Sequence, residues 1–333
     1  MRWPWSTRRS AQRLLLRRAG DQYAFVLTDG APGDEPARLL RWGLVADADA
    51  KPVTAGDAIA LLDPADYQIL KVDTPNVPQE ELKAAARWQI KEMVDVDVAE
   101  LTLDVMHVGG DVERPNTTST RQLFVVAARN SAIKALTGSA SGLTDKVSIV
   151  DVWETSLRNL LARQARADDV AARACAAVHI DERHCLLVVC AGDELFYTRR
   201  LERDPGLLAR ARGEQAEGPV AEMPLGFEYQ PGGTFDSNAA QESPLVVELQ
   251  RSIDVWERSW PELPLARLYV ITAEHGAEVA ALIQRELGQR TLALNPLAGF
   301  APDGPPPEGD AARALAACLP LLGAALRTET RKL

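Results

Sequence analysis

An α/β fold built from two similar units is what the sequence predicts, and three observations predict it. Residues 67–108 alternate strand, helix and strand. Two apolar hairpins, over 23–45 and 174–189, each precede further strand–helix pairs. The chain of 333 residues is about two domains long by the usual length prior, and its 46% hydrophobic and 25% charged residues can bury two sizeable cores.

Residues 1–18 hold Arg2, Arg8, Arg9, Arg13, Arg17 and Arg18 with no acid before Asp21, together with Trp3, Trp5 and Leu14-Leu15-Leu16. This reads as a basic, Trp/Arg-rich tail over 1–20. Arginine with tryptophan suits a segment lying on an anionic membrane surface through Trp3, Trp5, Arg8 and Arg9. A loosely packed basic tail is the other reading, and both stay open. The tail leaves about −16 on the remainder of a chain whose net charge is −10.

Strands at 23–28 and 39–45 flank the turn-rich Asp29-Gly30-Ala31-Pro32-Gly33-Asp34, a hairpin with a long polar tip. Residues 57–62 form a short helix or strand. A strand at 67–73 leads through Thr74-Pro75-Asn76-Val77-Pro78 into an amphipathic helix striped with Leu82, Ala86, Ile90, Met93 and Val94. Pro78 suits a first helical turn, and Gln79-Glu80-Glu81 places acid where the helix dipole favours it. Leu101, Leu103 and Val105 then alternate with Thr102, Asp104 and Met106 in a strand. Residues 109–120 are a polar loop. A strand at 122–128, a helix capped by Asn130 or Ser131, a strand at 147–152 and a helix at 154–167 complete the first unit.

The second unit opens with strands at 174–180 and 185–189 around Asp181-Glu182-Arg183-His184, and a third at 194–200. Gly and Pro punctuate 204–243, which reads as loop. A helix carrying Leu245, Leu249, Ser252, Ile253 and Trp256 begins at Pro244. A strand at 268–272, a helix at 278–287 capped by Gly288, a strand at 292–294, a Pro-rich loop at 299–309 and a helix at 311–327 follow.

Composition excludes several functions. Net charge −10 argues against nucleic acid, whose phosphates need a basic surface. Cys175, Cys185, Cys190 and Cys318 show no framework spacing and read as small buried hydrophobes of a reducing compartment. No apolar run reaches the roughly 20 residues of a spanning helix, and Arg17-Arg18 truncates any signal-peptide core after Leu16, so a cytoplasmic protein is expected. Cys175, His179, His184 and Cys185 lie close in sequence, but they would alternate faces and lack ligand spacing, so no metal site is expected. The Gly138–Gly142 stretch has Ala140 where a nucleophile elbow needs serine. Neither a Walker A nor a GxGxxG motif occurs.

The segment LLDPADYQILKVDTPNVPQEELKAAARWQIKEMVDVDVAELTLDV resembles the family of the MSHA-pilus biogenesis protein MshI and the type IV pilus assembly protein PilM. A strand, a Val-Pro-Glu-Glu-Leu-like helix opening and an Ala-x-x-Trp helix occur there in this order. The resemblance continues through LFVVAARNSAIKAL, LVVELQRSIDVWERSWPELPLARLYVI, LALNPLAGF and LGAALR. It implies an actin-like ATPase fold, two RNase H-like lobes with small inserted subdomains. The first lobe would span 21–167 with its inserted subdomain at about 68–130, and the second 168–333 with a loop-rich insertion at about 204–262. It further implies a cytoplasmic protein, peripheral to the inner membrane, that grips the cytoplasmic tail of a PilN-like inner-membrane protein. The groove would lie around Leu70, Val72, Trp88 and Met93. Trp88, off the main helical stripe, is the foremost interface candidate, and its other reading is a cap on a secondary cluster beside Leu70. The GspL-type relatives carry a transmembrane helix that this chain lacks.

Actin-like ATPases hold ATP phosphates in two hairpin turns rich in Gly, Ser and Thr, because backbone N–H groups must approach the anion closely. Asp residues there organise Mg²⁺ and water. Here the second turn reads Asp181-Glu182-Arg183-His184, with an acid and no glycine. The first offers Asp29-Gly30 without the following serine or lysine, and the adenosine-side turn reads Thr272-Ala273-Glu274-His275-Gly276. Three degraded elements lead to the expectation of weak or absent ATP and Mg²⁺ binding, no catalytic residue, and a vestigial site near Asp29, Asp181, Glu182, Ala273 and Glu274. Arg183 could offset Glu182, so a residual site stays open. The expected function is a non-catalytic scaffold of a type IV (MSHA-type) pilus assembly complex. An active actin-like ATPase or sugar-kinase relative is the alternative, and an orphan two-domain α/β binder a third.

Overall fold

The structure, a computed structural model, describes residues 12–29, 37–46, 49, 58–110, 121–213, 243–298, 300–302 and 309–328. The first lobe begins with an antiparallel meander, β1 (Arg13–Ala19), β2 (Gln22–Asp29) and β3 (Ala37–Ala46). Strand β4 (Ala58–Leu61) then lies parallel to β1. The chain leaves this sheet for β5 (Tyr67–Asp73), α1 (Leu82–Gln89), β6 (Leu101–His107) and β7 (Gln122–Arg129), which form a separate antiparallel sheet in the order β5-β7-β6. It returns through α2 (Asn130–Ser139) to β8 (Val147–Asp151), parallel to β4, and then to α3 (Trp153–Ala167).

The second lobe repeats the plan. Strands β9 (Ala174–Ile180), β10 (Cys185–Ala191) and β11 (Glu194–Arg200) form an antiparallel meander. After α4 (Leu207–Ala211) and α5 (Pro244–Ser259), β12 (Leu265–Thr272) lies parallel to β9. Helix α6 (Gly276–Leu287) leads to β13 (Thr291–Ala293), parallel to β12. The order β11-β10-β9-β12-β13 thus matches β3-β2-β1-β4-β8 strand for strand. The chain then recrosses: β14 (Phe300–Pro302) adds parallel to β3, and α7 (Gly309–Ala317) and α8 (Leu319–Ala325) pack on the first lobe.

That match overturns the expected tail from residue 13 onward. Leu14, Leu15 and Leu16 have no exposed surface. Leu14 and Leu16 face one core with Tyr23, Phe25 and Leu136, and Leu15 faces another with Leu157, Leu161 and Leu321. A strand covered on both faces reads as a continuous apolar run instead of an alternation. Its arginines serve the fold: the Arg17 guanidinium donates to the Ala317 carbonyl (2.7 and 3.1 Å), and Arg13 to that of Arg327 (3.2 Å). Trp3, Trp5, Arg8 and Arg9 lie outside the described residues. The strand match also moves the first-lobe counterpart of the Asp181–His184 turn to Gly20-Asp21, between β1 and β2. Asp29 instead ends β2, and Gly30 lies outside the described residues.

Three other boundaries differ. The helix expected through Val94 stops at Gln89, and the Arg87 side chain reaches the carbonyls of Val98 and Leu101, where the chain folds back. Helix α5 is no insertion, since Leu245, Leu249, Ile253 and Trp256 bury in the second lobe's core. The single terminal helix is two, broken at Cys318, with Pro320 at the first turn of α8 where its missing N–H costs nothing. Gly323 brings α8 onto α3 so closely that a Cβ would lie 2.0 Å from the Ser156 carbonyl oxygen, and the Ser156 hydroxyl donates to the Pro320 carbonyl.

Candidate functional site

The side chains with most chemistry meet where the two repeated sheets face each other. Strand β9 is apolar except for His179, and β10 begins at Cys185, so the intervening turn projects a compact polar group. The Asp181 carboxylate bends back on this turn: Oδ1 accepts from the Arg183 and His184 amides at 2.7 and 2.6 Å. Those are the donors that a phosphate-binding turn would offer to an anion. Asp181 Oδ2 lies 3.3 Å from His179 Nε2, and Oδ1 lies 3.5 Å from His184 Nδ1. Burial alone would raise the Asp181 pKa, but its hydrogen bonds with the two histidines outweigh that and hold it well below the usual carboxylate range.

From the first lobe, Asp63 follows β4 and caps the next turn by accepting from the Ala65 amide at 3.0 Å. Its Oδ1 also lies 3.2 Å from His184 Nε2, and its Oδ2 lies 3.6 Å from Arg183 Nη1. Burial opposes charge on His184, yet the bonds to Asp181 and Asp63 prevail and raise its pKa to about 9. The Asp63 pKa is lowered, because the bond from His184 overcomes desolvation. The buried Trp153 ring packs 5.1 Å from both histidine rings, and the Arg17 guanidinium lies 5.3 Å from its centre.

A second polar contact adjoins the first. The buried Tyr67 hydroxyl donates to Glu154 Oε2 (2.5 Å) and accepts from the Trp153 amide (3.1 Å). Burial and the Glu154 charge push the Tyr67 pKa well up, and burial raises that of Glu154. Arg200 of β11 reaches across the lobes, donating to the Tyr67 carbonyl at 2.8 Å with its guanidinium 4.9 Å from the Tyr67 ring.

Of the residues proposed for a vestigial nucleotide site, Asp181 sits in this cluster and Glu182 is exposed beside it. Ala273 and Glu274 are exposed in the turn before α6, where the Thr272 hydroxyl donates to the Glu274 carbonyl at 2.7 Å. Asp29 Oδ1 is buried at the far end of β2 without a hydrogen-bond partner among the described residues. Cys175 and Cys185 fall in different cores on opposite faces of their sheet, which separates them. Among the described residues, no group of three His, Cys, Asp or Glu is arranged to hold a metal.

The partner-binding candidates divide. Val72 is buried beneath α1 with Leu82 and Ile90, so its side chain is not available to a partner, and Leu70 is partly buried against the same core. Trp88 is 74% exposed and Met93 48% exposed. The Lys91 ammonium lies 5.7 Å from the centre of the Trp88 ring. Asp63, Arg17, Arg200 and the Tyr67–Glu154 pair were not singled out as site residues by sequence reasoning. The composition around Arg17 reads as a tail, and only Asp63, as a helix cap before Pro64, carries a local signal.

A search of solved structures finds a chain of the "PilM-PilN type IV pilus biogenesis complex" at TM-score 0.66 and 17% identity, covering 95% of this chain and 98% of that one. The fold is actin-like. The cytoplasmic domain of EpsL, an inner-membrane component of the type II secretion system of Vibrio cholerae, is similar at TM-score 0.44 and 11% identity, over 96% of this chain and 97% of that one. A Bacteroides thetaiotaomicron protein described as having an actin-like ATPase fold and unknown function is similar at 0.46 and 8%, over 88% and 95%. No protein-family model and no curated protein matches the sequence. On this actin-like fold, the Gly20-Asp21 and Asp181–His184 turns are the two equivalent hairpin turns, one from each lobe. No helix among the described residues is long and apolar enough to cross a membrane.

Proposed function

We propose that this chain is a non-catalytic scaffold of a type IV pilus assembly complex of the MSHA type, at the cytoplasmic face of the inner membrane. It binds the cytoplasmic tail of a PilN-like membrane protein. The observation that carries the reading is the likeness in fold, over 95% of the chain, to a chain of the PilM-PilN complex. The exposed Trp88 and Met93 on the inserted subdomain support it as a docking surface. The non-catalytic part draws support from the Asp181–His184 turn, whose amides are already taken by its own carboxylate. An anion there would have to displace a half-buried acceptor that is itself negative. Trp3, Trp5, Arg8 and Arg9 give the chain a further contact with anionic lipid.

Binding of a synthetic partner tail tests the reading: saturable binding by the wild-type protein is expected, and none at about tens of micromolar sinks it. Calorimetry with Mg-ATP is expected to show no micromolar binding. The rival, an active actin-like ATPase, is favoured by one feature, the Gly20 turn at φ +70° with open space around it. Micromolar Mg-ATP binding abolished by Asp181→Ala would overturn the expectation of weak or absent ATP binding, and ATP hydrolysis by the same protein would establish that rival.

A further inference from the structure

The lobes share an apolar core in which Leu157 and Leu161 of α3 pack with Cys175, Leu186 and Val188 of β9 and β10, and a small group of polar side chains joins the lobes beside it. His184 ends the turn before β10 in one lobe, Asp63 follows β4 in the other, and their side chains are only 15% and 12% exposed. The pair is reinforced by Arg183 on Asp63 and by Asp181 on the other nitrogen of His184. We propose that His184 and Asp63 form a protein-built latch that holds the lobes closed. This goes beyond the scaffold reading and does not rest on it.

Several features make the pair a latch instead of an incidental surface contact. Partial burial strengthens a charged hydrogen bond relative to an exposed pair, whose worth is close to nothing. The imidazole is held in a fixed orientation, because both ring nitrogens face carboxylates and the ring lies against Trp153, tilted by 58°. The Arg200–Tyr67 contact and a bond from the Gly109 amide to the Leu195 carbonyl (2.8 Å) lie at the neighbouring seam between β11 and the inserted subdomain. Removing one partner therefore costs the other a charged hydrogen bond across the lobes in a partly buried place, a loss the closed form alone carries.

Histidine also makes the latch sensitive to pH. The charged and titratable groups around it are Asp181 and Arg183 from its own turn, His179 of β9, Asp63 after β4, and Arg17 from β1. Helix α3 contributes the uncharged Trp153, with Glu154 beside it engaged by Tyr67. The two carboxylates keep their charge in alkali, whereas His184 loses its proton as pH rises through about 9. The latch is then released from the alkaline side.

The test is an interlobe distance measured on the full chain. Nitroxides at Lys134→Cys and Gln284→Cys sit on exposed positions of α2 and α6, while the four native cysteines are buried. A single narrow distance distribution is expected for the parent at pH 7. Asp63→Asn, which keeps the turn cap, and His184→Ala should both broaden it toward longer distances, as should raising the parent to about pH 10. Distributions unchanged in both variants overturn the latch. If either variant fails to fold by circular dichroism, the other decides. If both fail, the parent decides by opening or staying closed at about pH 10.

Discussion

The Tyr67 hydroxyl and Glu154 Oε2 lie 2.5 Å apart in a site closed to solvent, joining the first strand of the inserted subdomain to the start of α3. A carboxyl so placed has one strong donor and little else to satisfy it. Tyr67→Phe removes that donor and also the acceptor of the Trp153 amide. Unfolding in urea should show a loss of about 2 kcal/mol, at the cost typical of a stranded buried polar group. A loss too small to measure would mean that water replaces the hydroxyl.

Strand β1 gives a direct test of its place in the core. Leu15→Ala should cost about 2–5 kcal/mol, because the side chain is wholly buried against α3 and α8. A basic tail would tolerate the same change without effect. Urea midpoints of the two proteins distinguish the cases.

Trp88 is predicted to separate binding from stability. With 74% of its surface exposed, Trp88→Ala should shift stability by no more than about 0.5 kcal/mol. The same change should weaken binding of the partner tail roughly tenfold or more, as expected of an aromatic anchor. Equal binding by both proteins would move the docking surface elsewhere.

The dependence of stability on pH follows from His184. Its folded pKa of about 9 exceeds the ordinary histidine value, so the stabilisation is fully present below the unfolded pKa and is lost as pH rises through about 9. Melting temperature should therefore fall between neutral pH and about pH 10, and His184→Gln should flatten that fall. The carboxylates act at the other end: Asp63 and Asp181, with lowered pKa values, contribute above the ordinary carboxylate range and lose that contribution in acid.

Local pattern made much of this fold legible. The apolar hairpin at Asp181–His184, the helix of Leu245 to Trp256 and the Gly288 cap all follow from periodicity and turn chemistry, and the structure has them. Strand β1 escaped because arginines bracket three leucines, which looks like a surface peptide until a sheet closes around it. Strand β14 is three residues in a Pro-rich stretch, too short for any period. The helical stripe alone leaves Trp88 outside the core, but alternation along β5 does not show that α1 covers Val72. Asp63 and His184 stand 121 residues apart. No local signal joins them, so their pairing had to come from the topology.

The recrossing of the chain has a consequence for biosynthesis. Leu319, Leu321, Leu322 and Ala325 complete a core whose other side is Leu15, Val26 and Ile59. These groups come from opposite ends of the chain, and a ribosome makes the first of them long before the last. The amino-terminal lobe thus emerges with an uncapped apolar face and keeps it throughout synthesis of its twin. Ribosome-bound chains stalled before Leu319 should accordingly recruit chaperones that recognise exposed leucine, and released full-length chains should shed them.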